Sequence, residues 1–488
     1  MLKTSTASRD GATAGSTKPL EKSAPIRWVL ASLSLSMLLS SLGTSIANVG
    51  LPTLAQVFNA SFQQVQWVVL AYLLAITTLI VSVGRLGDLT GRKRLLLAGI
   101  FLFTAASALC SIAPTLWLLV AARAVQGLGA ATMMALTMAF VGETVPKAKT
   151  GSAMGLLGTM SAIGTALGPS LGGVLIAGTG WQAIFLVNVP LGILALVLAY
   201  RHLPADRRSV GATSTQGFDH VGTLLLALTL AAYALAMTMG RGSFGALNVG
   251  LLLAAAIGVG LFVRTETRAA SPLIRLAMFR EPGLSTSLAM NVLVSTVMMA
   301  TLVVGPFYLS RALGLDTAMV GLVLSIGPII SALSGVVAGR MVDRFGAPRM
   351  VTTGLIAISV GSIGLSVLPG MYGIAGYIAA IAVLTPGYQL FQAANNTAVM
   401  VDVHTDQRGV LSGMLNLSRN LGLVTGASAM GAVFALASMA TDTATAQPEA
   451  IATGMRFTFA VAAALVFIAL AIAAMGHALS KRATPSAP

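Results

Sequence analysis

Two short boxes carry most of the residues that could do chemistry in this 488-residue chain. Gly84 to Leu96 reads GRLGDLTGRKRLL and Gly339 to Met350 reads GRMVDRFGAPRM, so Gly84/Gly339, Arg85/Arg340, Asp88/Asp343 and Gly91/Gly346 recur at a constant offset of 255 residues. Glycines at both ends permit tight turns, while Asp88 can pair with Arg85 or Arg92 or face the positive end of a neighbouring helix. This chemistry holds segments together and transforms no substrate. Reacting groups for an enzyme are missing: there is no HExxH and no Ser/His/Asp set that can be placed together. The four histidines, His202, His220, His404 and His477, fall at or near the ends of apolar runs, and the single cysteine, Cys110, excludes a disulfide framework and a multi-cysteine metal site.

Two other charges stand inside apolar runs. Arg123 and Arg419 each cost on the order of 2.5–3.5 kcal/mol if carried to a bilayer centre, so such residues face a cavity or a partner. For Arg123 the bland alternative is snorkelling to the outer interface. The same runs hold Asn48, Trp67, Tyr72, Gln126, Asn291, Phe307, Tyr308, Tyr388, Gln389, Gln392, Asn395, Asn396 and Asn416. Amides in apolar surroundings must find partners, which means interhelical bonds or a wet cavity, and the sequence leaves both open. Gly164, Gly168 and Gly172 recur every four residues, a smooth helix face for close approach or gating, and Pro169 can hinge that helix.

The elements that position these residues are membrane helices. The chain is 56% hydrophobic and 9% charged, with a mean hydropathy of +0.88, too apolar for a soluble globular protein. Fourteen apolar segments of spanning length start near residues 26, 65, 95, 116, 151, 182, 220, 246, 284, 319, 350, 372, 409 and 456. The even number puts both termini on one side. If that side is cytoplasmic, 24 of the 29 Lys and Arg lie inside, with Arg241, Arg311 and Arg456 in outside loops; this positive-inside bias accounts for most of the +15 net charge without a nucleic-acid partner.

The repeat extends beyond the boxes. GLLGTMSAIGTALGPSLGG from Gly155 aligns with GMLNLSRNLGLVTGASAMG from Gly413 at an offset of 258, with Gly155/Gly413, Gly164/Gly422, Gly168/Gly426 and Gly173/Gly431 matching. Helices one to six therefore correspond to nine to fourteen. The expected organisation is a disordered cytoplasmic tail (1–25), a six-helix bundle (26–200), a cytoplasmic loop (201–218), two inserted helices (219–264), a linker (265–283), a second six-helix bundle (284–478) and a tail (479–488). Related bundles around a midplane site favour a transporter.

These residues resemble the major facilitator superfamily in its fourteen-helix drug:proton antiporter branch. The Gly84 box looks like the family's loop motif, LVAARAVQGLGAA with Arg123, Gln126, Gly127 and Gly129 resembles its helix-four motif, and Gly164, Gly168, Pro169, Gly172 and Gly173 match its helix-five antiporter motif. The resemblance implies an all-α membrane protein of two six-helix bundles plus two inserted helices. It also implies a gating clasp on the cytoplasmic side at Gly84, Arg85, Asp88, Gly91, Arg92, Gly339, Arg340 and Asp343, and roles in coupling or the cavity for Arg123, Gln126 and Arg419. In the branch's first-helix motif Gly43 stands where an Asp is usual, while Asn48 and Pro52 match, so the proton site is unassigned and neutral or anionic substrates gain ground. The expected activity is export of hydrophobic or amphipathic small molecules by alternating access, driven by the proton gradient, with no cofactor and no metal. Partners would be the substrate and the lipid bilayer, with no nucleic acid, and the protein would act as a monomer in a bacterial inner membrane. The alternatives are export of an endogenous metabolite or lipid-like compound with different coupling, and a transport-dead membrane sensor.

Overall fold

Long apolar stretches with few breakers leave the backbone only one way to satisfy its own polar groups in lipid, and the chain is accordingly built of helices. A computed structural model describes residues 26–60, 62–206, 219–238, 245–269, 272–315, 317–401, 403, 407–438 and 447–483. The 1–25 tail, residues 207–218 of the expected cytoplasmic loop, Arg241 and His404 lie outside the described residues. In chain order the membrane helices are α1 (Ile26–Val57), α2 (Phe62–Thr90), α3 (Arg92–Ser111), α4 (Leu116–Thr144), α5 (Thr150–Thr179), α6 (Ala183–His202), α7 (His220–Thr238), α8 (Ala246–Glu266) and α9 (Pro282–Phe307). α10 (Thr317–Phe345) follows, then a 54-residue helical stretch, Ala347–Met400, then α13 (Arg408–Ala437) and α14 (Pro448–Ala483).

At 1.5 Å per residue that 54-residue stretch would run about 80 Å, more than twice the thickness of a bilayer core. It does not run straight. Gly373 takes φ 55° and ψ −128°, and the arms fold back so that Gly354 packs on Phe391 and Gly361 on Leu384. Residues 347–372 are α11 and 374–400 are α12, which completes fourteen crossings among the described residues.

α14 starts at Pro448, eight residues before the expected position. Proline suits the first helical turn and Glu449 complements the positive end of the helix. Arg456, expected in an outside loop, therefore lies within α14, exposed on its surface, and its carbonyl accepts from Ser366 Oγ at 2.9 Å. At the other end α14 continues to Ala483, into the stretch expected as a tail.

The first bundle packs α1 on α5, α2 on α4 and α3 on α4 and α6; the second packs α9 on α13 and α14, and α10 and α14 on the α11–α12 hairpin. The bundles meet at two seams, α2 and α4 against α13 and α5 against α10 and the α11–α12 hairpin, which the internal repeat exchanges. α7 and α8 pack on each other, and α7 packs on the bundles through α2 and α13. Their outer faces carry Leu224, Leu228, Leu247, Leu253 and Ile257, all about 60% exposed, which is an energetically acceptable surface only in lipid. One buried cluster crosses between the bundles, joining Met134 and Met138 to Met400, Leu411 and Met414. These residues sit toward the ends that carry the Gly84 and Gly339 boxes, hereafter the basic face.

Candidate functional site

The two boxes make two matched sets of hydrogen bonds, or latches, between the bundles. Asp88, in the last turn of α2, accepts from the backbone N–H of Gly409 (3.0 Å) and Val410 (3.2 Å) at the start of α13. Asp343, near the end of α10, accepts from Gly151 N (2.7 Å) and Ser152 N (2.9 Å) at the start of α5, and also from the Ser152 hydroxyl. Each carboxylate thus satisfies donors that a helix cannot satisfy itself and lies at the positive end of the helix dipole. The targets are themselves a repeat pair, since Gly151 and Gly409 are 258 residues apart. Small residues let the helices approach: a Cβ on Gly84 would collide with the Gly409 carbonyl, and one on Gly155 with that of Gly335.

Gly91 and Gly346, which follow the two aspartates by three residues, take φ 105° and 85°, a left-handed conformation that other residues adopt only with strain. Each turns the chain from one helix directly into the next. The boxes are therefore the ends of α2 and α10 together with the hinges into α3 and α11, with hardly any loop between.

The latches differ in charge. Arg92 binds Asp88 Oδ1 through Nε (3.1 Å) and Nη2 (2.9 Å) and Glu143 Oε2 of α4 through Nη1 (2.7 Å). Arg408, at the start of α13, borders this network with its side chain beside Gly142. At the second latch Arg340 is exposed, and Asp343 has no ion pair among the described residues. Arg85 is buried and Gly339 packs against Gly151. Glu143, Ser152 and Gly409 were not singled out in the sequence. The repeat arithmetic that paired Gly155 with Gly413 would also have paired Gly151 with Gly409, whereas Glu143 carried no such signal.

Inside the first bundle Arg123 is completely buried, which removes the snorkelling alternative. Its Nε donates to Val68 O (2.9 Å), Nη1 to Gln126 Oε1 (2.6 Å) and Nη2 to Gly43 O (3.0 Å). Gln126 in turn donates to Ser107 Oγ at 2.6 Å. The guanidinium stacks 4.1 Å from the ring centroid of Tyr72, whose hydroxyl donates to Ser40 O at 2.8 Å. One cation therefore ties α1, α2 and α4 together using carbonyls and an amide, and no carboxylate faces it among the described residues. A Cβ on Gly43 would stand 2.9 Å from Tyr72 Oη: the phenol fills the space that an acidic side chain at position 43 would need.

The glycines of α5 divide. Gly164 and Gly168 press against Leu38 O and Ser45 of α1, and Gly172 against Ile46, while Gly173 meets nothing within 4 Å. Ser45 Oγ donates to Gly164 O at 3.1 Å. Thr296 of α9 repeats this bond to Gly422 O of α13, also at 3.1 Å. Pro169 lies within α5. Gly168→Ala is expected to lower stability by about 1–3 kcal/mol through overpacking, while Gly173→Ala should stay within about 0.5 kcal/mol of the unmodified protein. Thermal unfolding of both purified variants reads the contrast.

The remaining polar residues are brought to several places. Asn416 of α13 donates to Ser412 O (3.0 Å) and faces α4 at Met134 O (3.4 Å) and Met138 Sδ (3.2 Å). Asn291 joins α9 to α13 through Leu415 O (2.9 Å). Gln389 donates to Ser331 Oγ of α10, and its Oε1 lies beside Gly158 of α5. Gln392 donates to Tyr388 Oη at 3.0 Å. Asn395 is fully buried with neither amide atom partnered among the described residues, and Arg419 Nε is likewise without an acceptor there. Tyr308 donates to Pro369 O at 2.8 Å, and Phe307 packs on Phe434. Asn48 is exposed, Trp67 half-buried and Asn396 buried.

Two repeated bundles joined by matched hydrogen bonds at one face have the two-bundle architecture of a membrane transporter. The chain belongs to the major facilitator superfamily, whose model matches residues 33–427. It is 30% identical over 410 residues to the riboflavin transporter RibZ of Clostridioides difficile, covering 84% of this chain and 88% of that one. The drug efflux pump JefA of Mycobacterium tuberculosis is 34% identical over 409 residues, which cover 80% of this chain and 77% of JefA. In fold it is similar to the crystal structure of the human organic anion transporter MFSD10, with a TM-score of 0.65 over 92% of this chain and 99% of that one at 14% identity.

Proposed function

We propose that this transporter exports hydrophobic or amphipathic small molecules, drugs and dyes among them, in exchange for protons. It works as a monomer in a bacterial inner membrane with both termini in the cytoplasm. The observation that carries the reading is the matched pair of latches, Asp88 on the start of α13 and Asp343 on the start of α5. They close the basic face, which the positive-inside rule makes cytoplasmic, and their release would open that face to substrate. Relatives that include a drug efflux pump support the direction of transport.

A second reading rests on the Arg123 site. A buried cation held by carbonyls, with Tyr72 where an acid would stand, favours neutral or anionic substrates and a coupling group elsewhere. Export of an endogenous metabolite fits that chemistry.

Both readings meet one experiment: accumulation of chemically diverse dyes and antibiotics in an efflux-deficient bacterial host expressing the protein, with and without a protonophore. Lower accumulation that the protonophore reverses is the expected outcome. Unchanged accumulation across cationic, neutral and anionic compounds sinks the drug-export reading. Export that survives the protonophore removes proton coupling.

A further inference from the structure

We propose that Asp219 and Glu266 form a binding site for one monovalent cation, a proton or a sodium ion, which ties both ends of the inserted hairpin to the linker entering the second bundle. Asp219 immediately precedes α7 and Glu266 is the last residue of α8, so the two acids meet where the hairpin closes on the basic face.

Each carboxylate uses one oxygen to anchor backbone. Asp219 Oδ1 accepts from Gly222 N at 2.7 Å, capping the first turn of α7. Glu266 Oε2 accepts from Ile274 N at 3.2 Å, in the linker that leads to α9. The other two oxygens, Asp219 Oδ2 and Glu266 Oε1, are buried and meet no donor among the described residues. Both point at one spot, because a Cβ on Gly222 would collide with either of them. Glu266 is only 4% exposed. Thr223 Oγ1, one residue beyond Gly222, is a third buried oxygen without a partner there.

Two acceptor oxygens pressed together away from water repel unless a positive charge lies between them. A shared proton makes one short charge-assisted bond, and a hard cation accepts the same oxygens as ligands. The charged residues nearest the pair in sequence are His220 on α7, Arg264 and Arg268 at the end of α8 and Arg275 on the linker, all four exposed. α2 and α13, which pack on α7, carry Arg85 and Arg408 near their corresponding ends.

The test uses the purified full-length protein and needs no transport, so it stands or falls apart from the export reading. Thermal unfolding is compared in sodium chloride and choline chloride at one pH, and the infrared spectrum is recorded at neutral pH for the unmodified protein, Glu266→Gln and Asp219→Asn. Glutamine keeps the shape and donates to Asp219 Oδ2 as the shared proton would, so that variant retains the clasp. If sodium is the cation, sodium raises the Tm of the unmodified protein by a few degrees and neither variant responds. If it is a proton, Tm ignores sodium and a protonated-carboxyl band is lost in both variants. A Tm indifferent to sodium, together with a carboxyl band that neither substitution alters, overturns the proposal.

Discussion

Asp88→Asn is expected to abolish export while leaving membrane insertion normal. The amide keeps the shape of the side chain but loses the charge that Arg92 and two helix N–H groups bind at 2.9–3.2 Å. Hydrogen bonds to a charged group contribute roughly 1.5–3 kcal/mol each and neutral ones about 1, so the latch weakens by about 2 kcal/mol. That moves the equilibrium between closed and open basic faces by on the order of thirtyfold. A transporter that seldom closes one face cannot complete a cycle. Asp343→Asn should act in the same direction but less strongly, because no arginine is left partly unpaired at that latch. The chain offers a clean reporter: its single cysteine, Cys110, is buried, so a cysteine placed on the basic face can be labelled against low background. Faster labelling in Asp88→Asn together with lost export is the expected pair of results. Wild-type labelling and export in that variant would show that Asp88 is not a latch.

Arg123→Ala is the second large effect. It leaves Gly43 O, Val68 O and Gln126 Oε1 without their donor inside the bundle, opens a cavity beneath Tyr72 and removes a desolvated cation–π contact. Together these are on the order of 3 kcal/mol or more. Export should fall at least about tenfold and Tm should drop by several degrees. Arg123→Lys separates charge from geometry: an ammonium cannot donate to three diverging acceptors and stack flat on a ring at once. It is therefore expected to recover little of the export even where it recovers some of the Tm. Export assayed in vesicles with equal protein content reads both variants, and unimpaired transport in Arg123→Ala would remove the residue from the mechanism.

Much of the fold was legible because its causes are one-dimensional. A run of about twenty apolar residues must be a helix in lipid, and a repeated box at 255 residues forces two related halves whatever their packing. The errors fell where local chemistry overrode that pattern. α14 begins at Pro448 because proline and Glu449 start a helix well, although the residues there are not strongly apolar. The candidate site was legible only in part. Asp88 and Asp343 could be named, and a helix end proposed as their partner, but Glu143 reaches Arg92 across 51 positions of sequence that carry no spacing rule. The amides, for which the sequence leaves interhelical bonds and a wet cavity both open, are distributed, with Asn291 and Asn416 bonded between helices and Asn395 buried without a partner among the described residues.

The amino-acid sequence by itself determined the membrane class, the fourteen crossings, the two-bundle repeat and the repeated pair of box carboxylates, since composition, length and repetition depend on no distant contact. Only the tertiary structure decided which helix start each carboxylate holds, that Arg123 is bound by carbonyls under Tyr72, and that Asp219 meets Glu266. Those are matters of a few ångströms between segments far apart in the chain, and they are set by how small residues such as Gly84, Gly155 and Gly168 let helices approach. The sequence names such glycines, but it does not say which helix comes to lie against them.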